Sequence, residues 1–343
     1  MPKKYFIILL FGLILVSGCS DQNKVNIQIS KNETIVYGNY ENGEYYLNFA
    51  DQHSLKTKEK VKIASAWTDI IQYQGNKIWI PLVYKPDMTN GEDQVVVIDL
   101  NNKKKKTIKV GNFPHYIFFN GENTYVICEE DGVSPTLYQI DKNFNSRKIK
   151  TIKNGGLIFD ATFDGRHIYL LTNHVDDKNV YPMINKINLD GEFTIQSITK
   201  ENIGTKGLFY TNNKLIIGMQ DNDKATLGVF DSNTLKKINT LNYNNNMVGQ
   251  ILPLDKNMIA VTNYSELETF GNKISIINIK DNKILKEFDS KNFVSNISYI
   301  DEKIYSVDND NNTLVIMDKD GDIIKKKNIS TEVSNIYKIS KEE

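Results

Sequence analysis

The side chains able to do metal or acid–base chemistry are few and widely spaced. His115 and His174 flank Asp160 in the sequence. Two imidazoles and a carboxylate make a partial ligand set for a transition metal, which takes three or four convergent ligands. Asp308-Asn309-Asp310-Asn311-Asn312 offers side-chain oxygens of the kind calcium takes, with Asp308 and Asp310 as the candidate ligands. Asp318-Lys319-Asp320-Gly321-Asp322 opens like a calcium loop, but Lys325 to Lys327 stand where a closing glutamate is needed. Its Asp-Gly content predicts a hairpin turn. Cys128 ends an apolar run and is followed by Glu129, Glu130 and Asp131. Acidic neighbours raise a thiol's pKa, so Cys128 is expected to be a small buried hydrophobe and not a nucleophile.

The other cysteine, Cys19, has a different setting. Lys3 and Lys4 are followed by twelve uncharged residues from Tyr5 to Val16, and then by Ser17, Gly18 and Cys19. This is the layout of an export signal, too short to span a bilayer as a helix, with small residues where a peptidase must reach the backbone. It resembles the bacterial lipobox. The resemblance implies cleavage before Cys19 and acylation, by palmitate-type chains, of its sulfur and amine. Two or more chains anchor stably where one does not. Residues 1–18 are therefore expected to be a cleaved signal peptide, 19–31 a lipidated tether, and 32–343 a folded unit on the extracytoplasmic face of the cell membrane.

Any site on that unit must be positioned by strands. After residue 24 the sequence has no useful helical periodicity, and short β-rich runs alternate with Asn, Asp, Gly and Ser. One run recurs, an apolar strand ending on an Asx residue that can close the following turn with its side chain. The endings are read at Asn48, Asp99, Asp141, Asn188, Asp231, Asn278 and Asp318, a spacing of 40 to 51 residues. Seven four-strand units of that length predict an all-β fold, a seven-bladed β-propeller. The stretch from Val95 to Phe119, with Asn123 to Val126 after it, resembles the repeat of YVTN-type propellers of bacterial surface and periplasmic proteins. That resemblance implies architecture and carries little about function.

By analogy with such propellers each blade has strands a to d from channel to rim. Both ends of the chain could supply strand a of the first blade. Val333-Ser334-Asn335-Ile336 repeats Val294-Ser295-Asn296-Ile297, whereas residues 25–29 match less well. Ring closure by residues 334–340 is therefore expected, which pairs edges that would otherwise be open. The b–c and d–a connections then share one face, the top. The b–c loops read as long and acidic, and lysines such as Lys103 to Lys106 gather near the opposite, bottom face. A chain entering at strand b comes in from the bottom, which puts tether and lysines towards anionic headgroups. Inner strands start at the top, so Asp69, His115, Asp160, Lys206, Gln250, Asn296 and Asn335 are expected to ring the upper channel as a ligand-binding set.

A net charge of zero and the lack of a basic, aromatic-interleaved stripe argue against nucleic acid. The sequence shows no Ser-His-Asp order, paired catalytic carboxylates or glycine-rich phosphate loop. The expectation is a monomeric binding or scaffold propeller for a protein or polar ligand, without catalytic residues or a cofactor other than a possible calcium. The alternative is a hydrolase of the lactonase kind working at the channel mouth.

Overall fold

The computed structural model describes residues 24, 25, 27, 33–68, 70–175, 180–198, 204–221, 224–242, 247–264, 273–289, 294–308, 311–329 and 333–339. Within them, 28 strands form seven sheets of four antiparallel strands, a seven-bladed β-propeller. Alternation decides the blades. In Lys77–Tyr84 and Gly91–Asp99 both faces are apolar and both are buried, because each middle strand is covered by a blade on either side. Lysine-rich outer strands such as Lys104–Lys109 bury Ile108 and expose most of the rest. The core is accordingly a set of inter-blade layers; one unites Ile35, Tyr37 and Leu55 of the first blade with Tyr305 and Ile316 of the seventh.

The ring closes with the C-terminal strand. Val333–Lys338 pairs antiparallel with Thr34–Glu41, so the first blade takes its inner strand from the end of the chain. The competing segment lies elsewhere. Lys24 makes an isolated bridge to Lys104, and Val25 N–H donates to Lys103 O, on the outer edge of the second blade near the bottom face. Val25 and Ile27 are buried there in the layer between the first two blades.

Asx residues close the turns between the third and fourth strands, as their type predicts. Asp99 Oδ1 accepts the N–H groups of Asn101 and Asn102, Asp231 those of Asn233 and Thr234, and Asp318 those of Asp320 and Asp322. The first blade corrects the sequence reading. Its turn residue is Asp51, which accepts from His53 and Ser54, while Asn48 lies mid-strand, buried, donating to Asn39 Oδ1. The b–c loops also vary more than expected. In the first blade the connection is a two-residue turn, Asn42-Gly43, both at positive φ, as a tight hairpin matching strand twist requires.

Candidate functional site

The inner strands are Val333–Lys338, Gln72–Gln74, Pro114–Asn120, Leu157–Phe163, Gly204–Thr211, Met247–Pro253 and Val294–Ile300. Six of the seven lose register with their neighbour near the top, skipping Ser334 and Asn335, His115, Phe159, Gly207, Gly249 and Gln250, or Ser295 and Asn296. Of the residues expected to ring the channel, the six described ones thus sit on β-bulges or beside them. A bulge increases twist and breaks the side-chain alternation, so it re-aims a side chain.

At three of these positions the side chain reaches the backbone of the next blade. Asn335 Oδ1 accepts from Ile71 N–H and its Nδ2 donates to Ile71 O, both at 2.9 Å. Gln250 Oε1 accepts from Ile297 N–H at 2.7 Å, and its Nε2 donates to Ile297 O at 3.3 Å. Asp160 Oδ2 accepts from Leu208 N–H and Oδ1 from Ala161 N–H, each at 2.7 Å. The seventh blade is tied to the first by Ser298 Oγ, which accepts from Ile336 N–H at 3.0 Å. These groups are clasps between blades, a use the sequence reading missed.

The remaining members of the set differ. His115 Nε2 stands 3.3 Å from Glu129 Oε2 without the geometry of a hydrogen bond. Glu129, 5 % exposed, also accepts the N–H of Ile158 of the next blade through Oε1. His174 lies at the top of the fourth blade with its ring 5.2 Å from that of Tyr181. Lys206 is exposed. Asp69, Asp310, Cys19 and the Asn296 side chain lie outside the described residues. Asp308, 4 % exposed, accepts from the backbone and side-chain nitrogens of Asn311 and so closes a turn. Among the described residues, no group of three His, Cys, Asp or Glu is placed to hold a metal ion. Cys128 is buried, and burial pushes its thiol well above the usual range.

The charge separation read from the sequence is blunted by tertiary contact. Outer strands run from bottom to top, so lysines at their far ends reach the top-face acids: Lys62 meets Glu44 at 2.8 Å, Lys109 meets Asp93 at 3.0 Å, and Lys148 meets Glu130 at 2.7 Å. For Glu130, burial acts to raise the pKa, yet the hydrogen bonds from Lys148 and Tyr138 outweigh it and hold the carboxyl low. Glu44 is held low by Lys62 and Ser65.

Among the described residues, four large apolar side chains are exposed on the top face over the third and fourth blades. Val133 is 51 % exposed, Leu157 42 %, Phe159 38 % and Val175 63 %. They occupy adjoining segments: Gly156 N–H donates to Val133 O, Leu157 pairs in register with Asn173, and Tyr116 Oη donates to Phe159 O. Bulging exposes Phe159, and no periodicity in the sequence marks it.

No family model matches the chain, and no curated protein sequence does. Solved structures resemble it at low identity. The dihydro-heme d1 dehydrogenase NirN, in complex with DHE, aligns at a TM-score of 0.58 and 11 % identity over 92 % of this chain and 77 % of that one. Apo AztD from Citrobacter koseri aligns at 0.56 and 10 % identity over 88 % and 96 %. The Cps50 (Swd1) β-propeller domain of Myceliophteria thermophila aligns at 0.59 and 14 % identity over 80 % and 90 %. At such identities the likeness shows the propeller fold alone.

Proposed function

We propose that this chain is an extracytoplasmic lipoprotein of the YVTN-repeat kind, anchored through acylated Cys19, and that its propeller binds a protein partner on the top face over the third and fourth blades. The observation that carries the reading is the apolar sector of Val133, Leu157, Phe159 and Val175. Four large apolar side chains exposed on adjoining segments favour a protein surface over a polar small ligand. The polar inner-strand groups that a hydrolase would use are engaged otherwise, Asp160 with both oxygens accepting backbone N–H groups.

The opposite face supports the anchoring. Lys24 and Val25 lie against Lys103 and Lys104 at the bottom rim. In the fifth, sixth and seventh blades the outer strand bulges at one equivalent register position, occupied by Ile238, Leu285 and Ile324, which are 50 % to 55 % exposed. Lys237, Lys286 and Lys325 stand beside them. Apolar side chains flanked by lysines near the bottom suit a bilayer interface with anionic lipids.

Two variants test the reading separately. Cys19→Ala should move the protein from the membrane to the soluble fraction with its melting temperature unchanged; unchanged fractionation would refute the anchor. Leu157→Ser with Phe159→Ser should abolish crosslinked partner capture from intact cells while the protein stays in the membrane fraction. Capture at the wild-type level by that double variant would refute the docking face.

A further inference from the structure

At the seam where the ring closes, the outer strand Ile323–Asn328 of the seventh blade and the first blade enclose a cleft of about 340 Å³. Tyr37, Asn39, Asn48, Thr57, Lys60 and Lys327 supply its polar lining, and no carboxylate is among the described lining residues. That volume equals roughly ten waters. Asn39 and Asn48 are each 6 % exposed, and their amides face one another. Tyr37 Oη lies 3.5 Å from Thr57 Oγ1, so the two hydroxyls share one corner.

Lys327 is the cleft's half-buried cation; like Lys105, Lys106, Lys186 and Lys325 it donates to neutral oxygens, but it also lines a cleft with other polar groups. Lys58, Lys62, Lys109 and Lys148 each meet a carboxylate, and Lys60 meets Glu41. The half-buried Lys327 ammonium donates instead to Leu55 O and, at 3.1 Å, to Thr57 Oγ1, both neutral oxygens. Among the described residues no carboxylate meets it, and an ammonium drawn partly out of water without a counter-charge is costly, the remedies being loss of the proton or capture of an anion. Burial does press the Lys327 pKa below its usual range. Tyr37, Asn48 and Thr57 line the same cleft.

We propose that this seam cleft binds a small oxyanion, a phosphate- or carboxylate-bearing molecule, through the Lys327 ammonium with Thr57, Tyr37 and Asn48 as supporting donors. Such a ligand bridges the seventh blade to the first, where the two ends of the chain meet. Binding to the closed ring alone stabilises it by mass action. The site is independent of the top face and of the lipid anchor.

The test uses the full lipidated chain in detergent, titrated at constant ionic strength with inorganic phosphate, acetate or chloride. Melting temperature and the ammonium signals of ¹⁵N-labelled lysine are read together. A saturable rise with phosphate or acetate, absent with chloride and accompanied by a shift of the Lys327 signal, is expected. The stronger of the two arms assigns the ligand's head group. Lys327→Met should weaken binding roughly tenfold or more, since a charged hydrogen bond is lost. Should that variant fail to fold, Thr57→Val, which keeps the charge, should weaken it by about threefold or more. Equal responses to all three anions, or an unchanged response in both variants, would overturn the proposal. So would binding that appears only in Glu332→Gln, because a carboxylate of the chain would then be the cleft's own occupant.

Discussion

At the channel wall Asn335, Gln250 and Asp160 each satisfy backbone groups of the next blade, whereas at the rim Lys58, Lys62, Lys109 and Lys148 reach carboxylates of their own blade. Both regions are polar, and their polar groups act on different scales. The inner contacts cross a blade boundary and are partly buried, so removing one leaves a backbone group without a partner. The outer contacts stay within a sheet and lie in solvent, where water replaces a lost partner at little cost. A polar residue in a repeat therefore cannot be read as a ligand or as surface from its type. What matters is whether its reach ends inside its own repeat or in the next.

The largest effect should follow from Asn335→Leu, which strips partners from both Ile71 N–H and Ile71 O. A loss of about 2–3 kcal/mol is expected in urea unfolding. A change below roughly 0.5 kcal/mol, the size of an ordinary surface substitution, would remove the clasp from the account.

Asp160→Ala should cost about 1–2 kcal/mol, because Leu208 N–H loses its acceptor, and Asp160→Asn should recover part of that. Truncating His115 and Asp160 together should therefore lower the melting temperature. The comparison sharpens if His115→Ala alone costs less than Asp160→Ala, since among the described residues His115 Nε2 makes no hydrogen bond.

Acid should act on the turns at the rim. Asp51, Asp141 and Asp231 are held below the usual carboxylate range, first by backbone N–H donors at Ser54, Asn145 and Thr234; Asp87, in a top-face loop, is pushed down to about 2 by Thr89 and Asn90. A folded-state pKa below the unfolded one gives stability that is full at neutral pH and lost as pH falls below about 4 through the folded values. The melting temperature should drop between pH 5 and pH 2, and Asp231→Asn should flatten part of that slope. A slope unchanged in the variant would mean that the turn carboxylates do not carry it.

The smallest effect belongs to the rim pairs. Lys62→Gln should leave the urea midpoint almost unchanged, and 1 M salt should erase any difference. A cost matching that of Asn335→Leu would break the distinction between wall and rim.

The seven blades and their closure were legible because both rest on period. A four-strand unit that cannot bury its faces alone must recur, and the Val294 and Val333 segments carry the same residue order. The misreading in the first blade came from a choice that sequence leaves open: Asn48 and Asp51 are three residues apart, and either could end a strand. Only the match of Asp51-Gln52-His53-Ser54-Leu55 to Asp231-Ser232-Asn233-Thr234-Leu235, with Leu55 and Leu235 bonding back to the Asp carbonyls, distinguishes them. For the candidate site, the positions were found and their role was not. Asn335 and Gln250 stand where inner strands begin, but a bulge turns them towards the next blade, and bulging leaves no periodic trace in the residues that bulge.

By itself the sequence determined the repeat length, the number of blades and the strand that closes the ring, since each follows from local residue order. The tertiary structure alone decided which polar groups clasp neighbouring blades, which lysines find carboxylates, that Phe159 and Val133 share an exposed sector, and that Lys327 donates to Leu55 O and Thr57 Oγ1. Most of those outcomes depend on pairs far apart in the chain, up to 272 residues for Lys327 and Leu55, brought together by blade packing, which no spacing rule within one repeat can encode.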